Sequence, residues 1–161
     1  ALEWHCIGPI QSNKTRLVAE HFDWAQTVDR LKIAQRLSDQ RPAHLPPLMV
    51  CIQVNVDGGA TKSGVPPEEA VALAEAVARL PRLVLRGVLS IPDDAPDFEA
   101  QRALHARAAA VFERIKAQGF AGLERFDTLS MGMTGDLAAA VAAGSTMVRV
   151  GRGIFGARTY A

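Results

Sequence analysis

Apolar and polar positions along the chain follow two periods in turn. Short runs that are wholly apolar, or that alternate every second residue, give way to longer runs with apolar residues at helical spacing. Residues 48–56 (LMVCIQVNV) are rich in β-branched side chains and read as a strand, closed by Asp57-Gly58-Gly59. The same reasoning predicts strands over residues 4–8, 24–28, 83–91, 126–131 and 146–150. Between them, helices are predicted over 13–21, with Asn13 as N-cap, and over 29–40, where Leu31, Ala34 and Leu37 are in step. A third helix starts at Pro66-Pro67 and stops before Pro81, a long Ala-rich one covers 97–118 with Gly119 as its stop, and a short one covers 135–143, closed by Gly144. Six strands alternate with five helices. Strict alternation of this kind calls for a parallel sheet with helices outside it. No linker or shift in composition divides the chain, so residues 1–161 read as one domain.

Period two also assigns faces. In the third strand Val50, Ile52, Val54 and Val56 share an all-aliphatic face that belongs under helices, while Met49, Cys51, Gln53 and Asn55 point the other way, into the lumen of a curved sheet. In the last strand Val148 and Val150 face outward and Met147 and Arg149 inward. A guanidinium inside a barrel is costly unless something meets it. A carboxylate from a neighbouring strand could do so. A bound anionic or heteroaromatic ligand is the preferred reading, because of what surrounds Arg149. Ser130 ends the preceding strand, Met131-Gly132-Met133-Thr134 follow it, Thr134 can cap the short helix, and Asp136 sits in its first turn. After Arg149 comes the loop Gly151-Arg152-Gly153-Ile154-Phe155-Gly156. In barrels of this kind the last two loops often bind phosphate through backbone N–H groups, and Ser130, Gly151 and Arg152 would supply such donors.

Composition changes this picture little. With 161 residues, 48% hydrophobic and 22% charged, the chain can build a core, and its net charge of +1 with no basic run gives no reason to invoke nucleic acid. No apolar stretch approaches the roughly 20 residues of a membrane span, and no signal peptide is visible. Cys6 and Cys51 each lie in an apolar run with no CxxC or Cys/His neighbour, which reads as buried free thiols in a reducing compartment. The four histidines show no metal-ligand spacing, and His5, on a strand, reads as a hydrogen-bonding group in the lumen.

Several runs together resemble a known family. Residues 129–137 (LSMGMTGDL) look like its motif LSMGMSxDL, 144–151 (GSTMVRVG) like GSTxVRIG, and 154–158 (IFGAR) like IFGxR. Residues 4–14 (WHCIGPIQSNK) look like WHFIGxLQSNK, and Ile52-Gln53-Val54-Asn55 with Lys62-Ser63-Gly64 looks like IQxN…KSG. These are features of the pyridoxal-phosphate (PLP) homeostasis proteins, and the resemblance covers essentially the whole chain. It implies an α/β fold, a (β/α)8 barrel of the alanine racemase N-terminal type. It implies PLP at the barrel mouth as the cofactor, a cytoplasmic carrier without established catalysis, and PLP-dependent enzymes as recipients. By position it implies cofactor-binding roles for Ser130, Met131, Arg149, Gly151 and Arg152, with Asn55 and His5 lining the mouth.

The chain departs from that pattern in several ways. The family's Schiff-base lysine lies in a first-strand run like AVSKTxP, and neither that run nor the second-strand run like GENYxQE is found, so only strands 3–8 of the barrel are expected. The four lysines, Lys14, Lys32, Lys62 and Lys116, sit in helices or loops and read as surface residues. With Ala1 as first residue and two open sheet edges, the sequence is expected to be part of a longer, monomeric protein, with edge pairing expected for the part alone. Arg152 stands where the family often has a small hydroxyl residue. Three other functions compete: an amino-acid racemase, whose second acid/base would have to be Tyr160; a phosphate-sugar barrel enzyme, which would need a lumen Glu or Lys near Ser130; and a non-enzymatic interaction module.

Overall fold

A computed structural model describes residues 1–59 and 62–160. The chain winds through β1 (His5–Cys6), α1 (Thr15–His21), β2 (Trp24–Val28), α2 (Leu31–Gln40), β3 (Leu48–Val54), α3 (Ala70–Ala78), β4 (Leu83–Ser90), α4 (Phe98–Ala117), β5 (Thr128–Ser130), α5 (Leu137–Ala142) and α6 (Arg152–Phe155). All five strands are parallel and stand in sequence order β1-β2-β3-β4-β5. They make an open arc of a barrel, with helices on the convex face.

The expected split of faces holds in β3. Val50, Ile52 and Val54 join Ile33, Leu37 and Ala74 in the layer between sheet and helices. On the concave side Trp24, Cys51 and Leu89 form a second cluster with Met49 and Met147. Burial in that cluster pushes the Cys51 thiol up to about 12, so it is a packing group and not a nucleophile. Both cysteines are free. β3 and β4 are joined along their whole length, with a register shift after Val50 that leaves Arg86 without a partner in β3. A Cβ at Gly87 would run into the carbonyl of Thr128, so the close approach of β4 to β5 requires glycine there.

Three expectations change. The sixth strand does not form: residues 146–150 follow β5 through a single bridge, Ser130 to Met147, and through bonds from Thr146 N to Leu129 O (3.0 Å) and Arg149 N to Gly132 O (2.8 Å). β5 is only three residues long and breaks at Gly132, whose φ of +103° takes the chain out of the ladder, so there is no edge for a regular sixth strand. Asn13 caps nothing, because a 3-10 turn over Ser12–Lys14 leads into α1 and the Thr15 hydroxyl donates back to Ser12 O at 3.0 Å. Thr134 does not cap α5 either; its hydroxyl accepts from Gly153 N at 3.0 Å. Asp97 does cap α4, accepting from Ala100 N at 2.8 Å.

Candidate functional site

The C-terminal ends of the strands open on one mouth, where a directed chain of hydrogen bonds crosses the concave face. Arg149 donates from Nη1 to Ser130 Oγ at 2.8 Å and from Nη2 to the Ser90 carbonyl at 3.0 Å. The Ser130 hydroxyl donates to Gln26 Oε1 at 2.6 Å. The Gln26 amide then meets His5 Nδ1 at 2.7 Å and Met147 Sδ at 3.3 Å. An arginine can only donate, so every role downstream is set: His5 Nδ1 accepts and its proton sits on Nε2, 3.7 Å from Glu3. Burial, opposed by Glu3, holds the His5 ring below the ordinary histidine range, and so favours the neutral form this chain needs. The ring is also fixed by stacking on Trp24, centroid to centroid 4.8 Å.

Arg149 points inward as expected, although residues 146–150 form no strand and Val148 and Val150, expected to face outward, line the same mouth cavity. No carboxylate pairs with the guanidinium among the described residues. Two neutral oxygens satisfy part of the guanidinium. Burial holds it below its usual range, with Asp136 acting in the opposite sense. Arg149 lines a cavity of about 620 Å³ at the mouth together with His5, Gln26, Met147, Val150 and Gly151. It also lines a smaller cavity of about 280 Å³, shared with Asp94, Gln101, Asp136 and Arg152. A cationic group already desolvated and facing a cavity this size is a receptor for an anionic end. The glycine loop borders it. A Cβ on Gly151 would meet nothing within 4 Å, so the protein leaves the space beside it open. Gly153 is tighter, since a Cβ there would lie 3.0 Å from Val150 Cγ1.

The residues singled out in the sequence meet different fates. Ser130, Arg149, His5 and Gly151 come together. Ser130 is fully buried and both roles of its hydroxyl are taken by Arg149 and Gln26, so it orients the arginine and does not itself face the mouth. Met131 does not belong to the site. It follows Ser130 on the strand, so alternation turns its side chain to the opposite face, into the helix-side core. Asn55 lies apart, because its amide donates to Gly59 O at 2.9 Å and accepts from Gly58 N at 3.0 Å, closing its own loop. Arg152 is exposed on α6 and reaches the smaller cavity. None of the four lysines lines either mouth cavity among the described residues. Lys62 Nζ is held by Asp57 (2.9 Å) and Asp93 (2.5 Å), which keep it above the ordinary lysine range against the opposing effect of burial. No group of three or more His, Cys, Asp or Glu is placed to hold a metal among the described residues.

Gln26 and Ser90 were missed. The signal for Gln26 was present: it shares the period of Trp24, and it is the polar member of an otherwise apolar lumen face. Ser90 enters through its carbonyl, which no side-chain pattern marks. The His105–Asp136 pair, Nε2 to Oδ2 at 2.8 Å, was also missed; it ties α4 to the loop before α5, where Asp136 Oδ1 accepts from Met133 N at 2.7 Å.

Comparison with known proteins adds three findings. The family model for the alanine racemase N-terminal domain matches residues 1–159. A protein of Vibrio cholerae named pyridoxal phosphate homeostasis protein is 58% identical over 160 residues, which is 99% of this chain and 66% of that protein. Thus the chain spans about two thirds of the length of this relative. The structure of PipY from Synechococcus elongatus with PLP bound superposes with a TM-score of 0.85 at 34% identity, over 96% of this chain and 71% of that one. A Clostridium difficile alanine racemase shares the fold, with a TM-score of 0.73 at 16% identity.

Proposed function

The chain belongs to the alanine racemase N-terminal-domain family, in the company of the pyridoxal phosphate homeostasis proteins, and from that premise we propose that it holds PLP at the barrel mouth and carries it without transforming it. The observation that carries this reading is the Arg149–Ser130–Gln26–His5 chain beneath a cavity bordered by the glycine loop. The residues fit the phosphate and ring of the cofactor, while no lysine lines the arginine cavities among the described residues to take its aldehyde. Arg149 would meet the phosphate, with the backbone N–H groups of Gly151 and Arg152 beside it. Ser130 would act through Arg149. His5, Gln26 and Met147 would border the pyridine ring. When bound, PLP supplies an aldehyde that condenses with amines.

Several features favour carriage over catalysis. A racemase needs a second acid/base opposite the cofactor, and Tyr160, the one tyrosine, is 88% exposed near the chain end. The relay is neutral apart from the arginine, and His5 spends its only basic nitrogen on Gln26. Lys62 is ion-paired and protonated, a poor nucleophile for an aldehyde. The free thiols suit a reducing, cytoplasmic setting, and no helix among the described residues is long and apolar enough to cross a membrane. PLP-dependent enzymes would be the recipients of the released cofactor.

Equilibrium dialysis of the chain against PLP tests this. Saturable retention, displaced by inorganic phosphate, is expected. Replacing Arg149 by Leu should weaken it by roughly ten- to hundredfold, the worth of about 1.5–3 kcal/mol for a hydrogen bond to a charged group. Retention that Arg149→Leu leaves unchanged, or that phosphate does not displace, would overturn the reading.

A further inference from the structure

α4 turns one apolar stripe inward, and His105 stands on it. Ala108, Phe112 and Ile115 follow His105 at helical spacing, all buried. An aliphatic side chain would suit that stripe. His105 is instead fully buried and leaves its Nδ1 without a hydrogen-bond partner among the described residues. A buried polar atom in this state costs stability, and natural folds keep few of them. The other ring nitrogen has a use. A carboxylate can only accept, so the proton sits on Nε2, which donates to Asp136 Oδ2 at 2.8 Å.

The effect of that bond follows from where Asp136 stands. Asp136 and Arg149 line the same cavity of about 280 Å³. Asp94 and Asp136 are the two carboxylates on its wall, and it is Asp136 whose charge acts on Arg149. Yet Asp136 does not pair with the guanidinium, because both of its oxygens are taken, Oδ2 by His105 and Oδ1 by Met133 N at 2.7 Å. Ser130 Oγ and the Ser90 carbonyl occupy two N–H groups of Arg149 and leave others open. A carboxylate swung onto those groups would compete with any anionic ligand for the same donors.

We propose that His105 is a positioning residue for the mouth: it holds the Asp136 carboxylate off Arg149, so that the guanidinium stays open to an anion. This rests on Arg149 as an anion receptor, as in the PLP reading, but not on the anion being PLP. The guanidinium nitrogen resonances of Arg149 report on it, with inorganic phosphate as the probe. Phosphate should move them saturably in the unmodified chain. In His105→Leu they should be displaced before any phosphate is added, and phosphate affinity should fall roughly tenfold, the range of one hydrogen bond to a charged group. Adding Asp136→Asn to His105→Leu should reverse both effects, which a mere packing defect in α4 would not allow. His105→Gln, whose amide can donate to Asp136, should match the unmodified chain. Asp136→Asn alone, at a side chain 24% exposed, keeps an acceptor for Met133 N and should bind phosphate at least as tightly as the unmodified chain, which decides the matter if His105→Leu does not fold. Undisplaced Arg149 resonances in His105→Leu, a loss of affinity that Asp136→Asn does not restore, or weaker binding by Asp136→Asn alone would overturn the proposal. Resonances that phosphate leaves unmoved in the unmodified chain, but that His105→Leu displaces, would sink the PLP reading while the hold of His105 on Asp136 stands.

Discussion

Arg149 is the residue on which the site turns, and its inward side chain matches the sequence expectation although the strand on which that expectation rested does not form and Val148 and Val150 line the same cavity. What alternation could not give was its company. Ser90 contributes a carbonyl and Gln26 comes from a strand three positions away around the arc, both set by register and not by local pattern. Met131 shows the reverse failure: reading a motif as a block of binding residues ignores that its neighbours on a strand face opposite ways. At this scale the pH dependence is worked out from His5. Burial depresses its folded value below the ordinary 6.5. Above 6.5 the ring is neutral in both states and contributes nothing to the balance. As pH falls below 6.5 the unfolded chain takes up a proton that the folded ring resists, so stability is lost until the folded value is passed. Between about pH 7.5 and about pH 5.5 the unfolding midpoint should therefore fall further in the unmodified chain than in His5→Asn. Parallel curves for the two proteins would contradict the neutral, accepting role given to His5 Nδ1.

At the scale of elements, helices and strands were mostly placed by apolar period, proline and glycine. Asp97 as N-cap of α4 and Gly119 as its stop, with φ of +66°, follow the sequence signals directly. The last predicted strand failed for a reason that residues 146–150 do not contain. Its β propensity is real, but β5 is too short and turns away at Gly132, so the partner ladder ends first. Tertiary context overrides β propensity in this way. Gly132 also lets α5 approach, since a Cβ there would lie 2.6 Å from that of Ala140. Gly87 is the more stringent case. Gly87→Ala forces a methyl group into the Thr128 carbonyl and must part β4 from β5, taking Ser130 away from Arg149. A loss of about 4 kcal/mol or more in urea unfolding, or failure to fold, is expected. A loss under about 1 kcal/mol would show that the two strands are not held as closely as described.

On the scale of the whole molecule, five parallel strands form an arc and not a closed barrel, with β1 at one margin and the 146–150 segment at the other. Apolar groups sit near these margins, Trp4 at 60% and Phe155 at 85% exposure. Unpaired edges of this kind associate. Light scattering should therefore give an apparent mass that rises with protein concentration, and a strictly monomeric chain over the accessible range would mean that the margins are closed in solution. The central claim concerns the mouth, where Arg149 and the loop from Gly151 meet a phosphate. Phosphorus NMR of PLP titrated with the chain reports on that group directly. One saturable shift of the PLP phosphorus resonance, abolished or greatly weakened in Arg149→Leu and reversed by inorganic phosphate, is the expected result. A phosphorus resonance that the chain leaves unmoved, or moves equally without Arg149, would contradict the account.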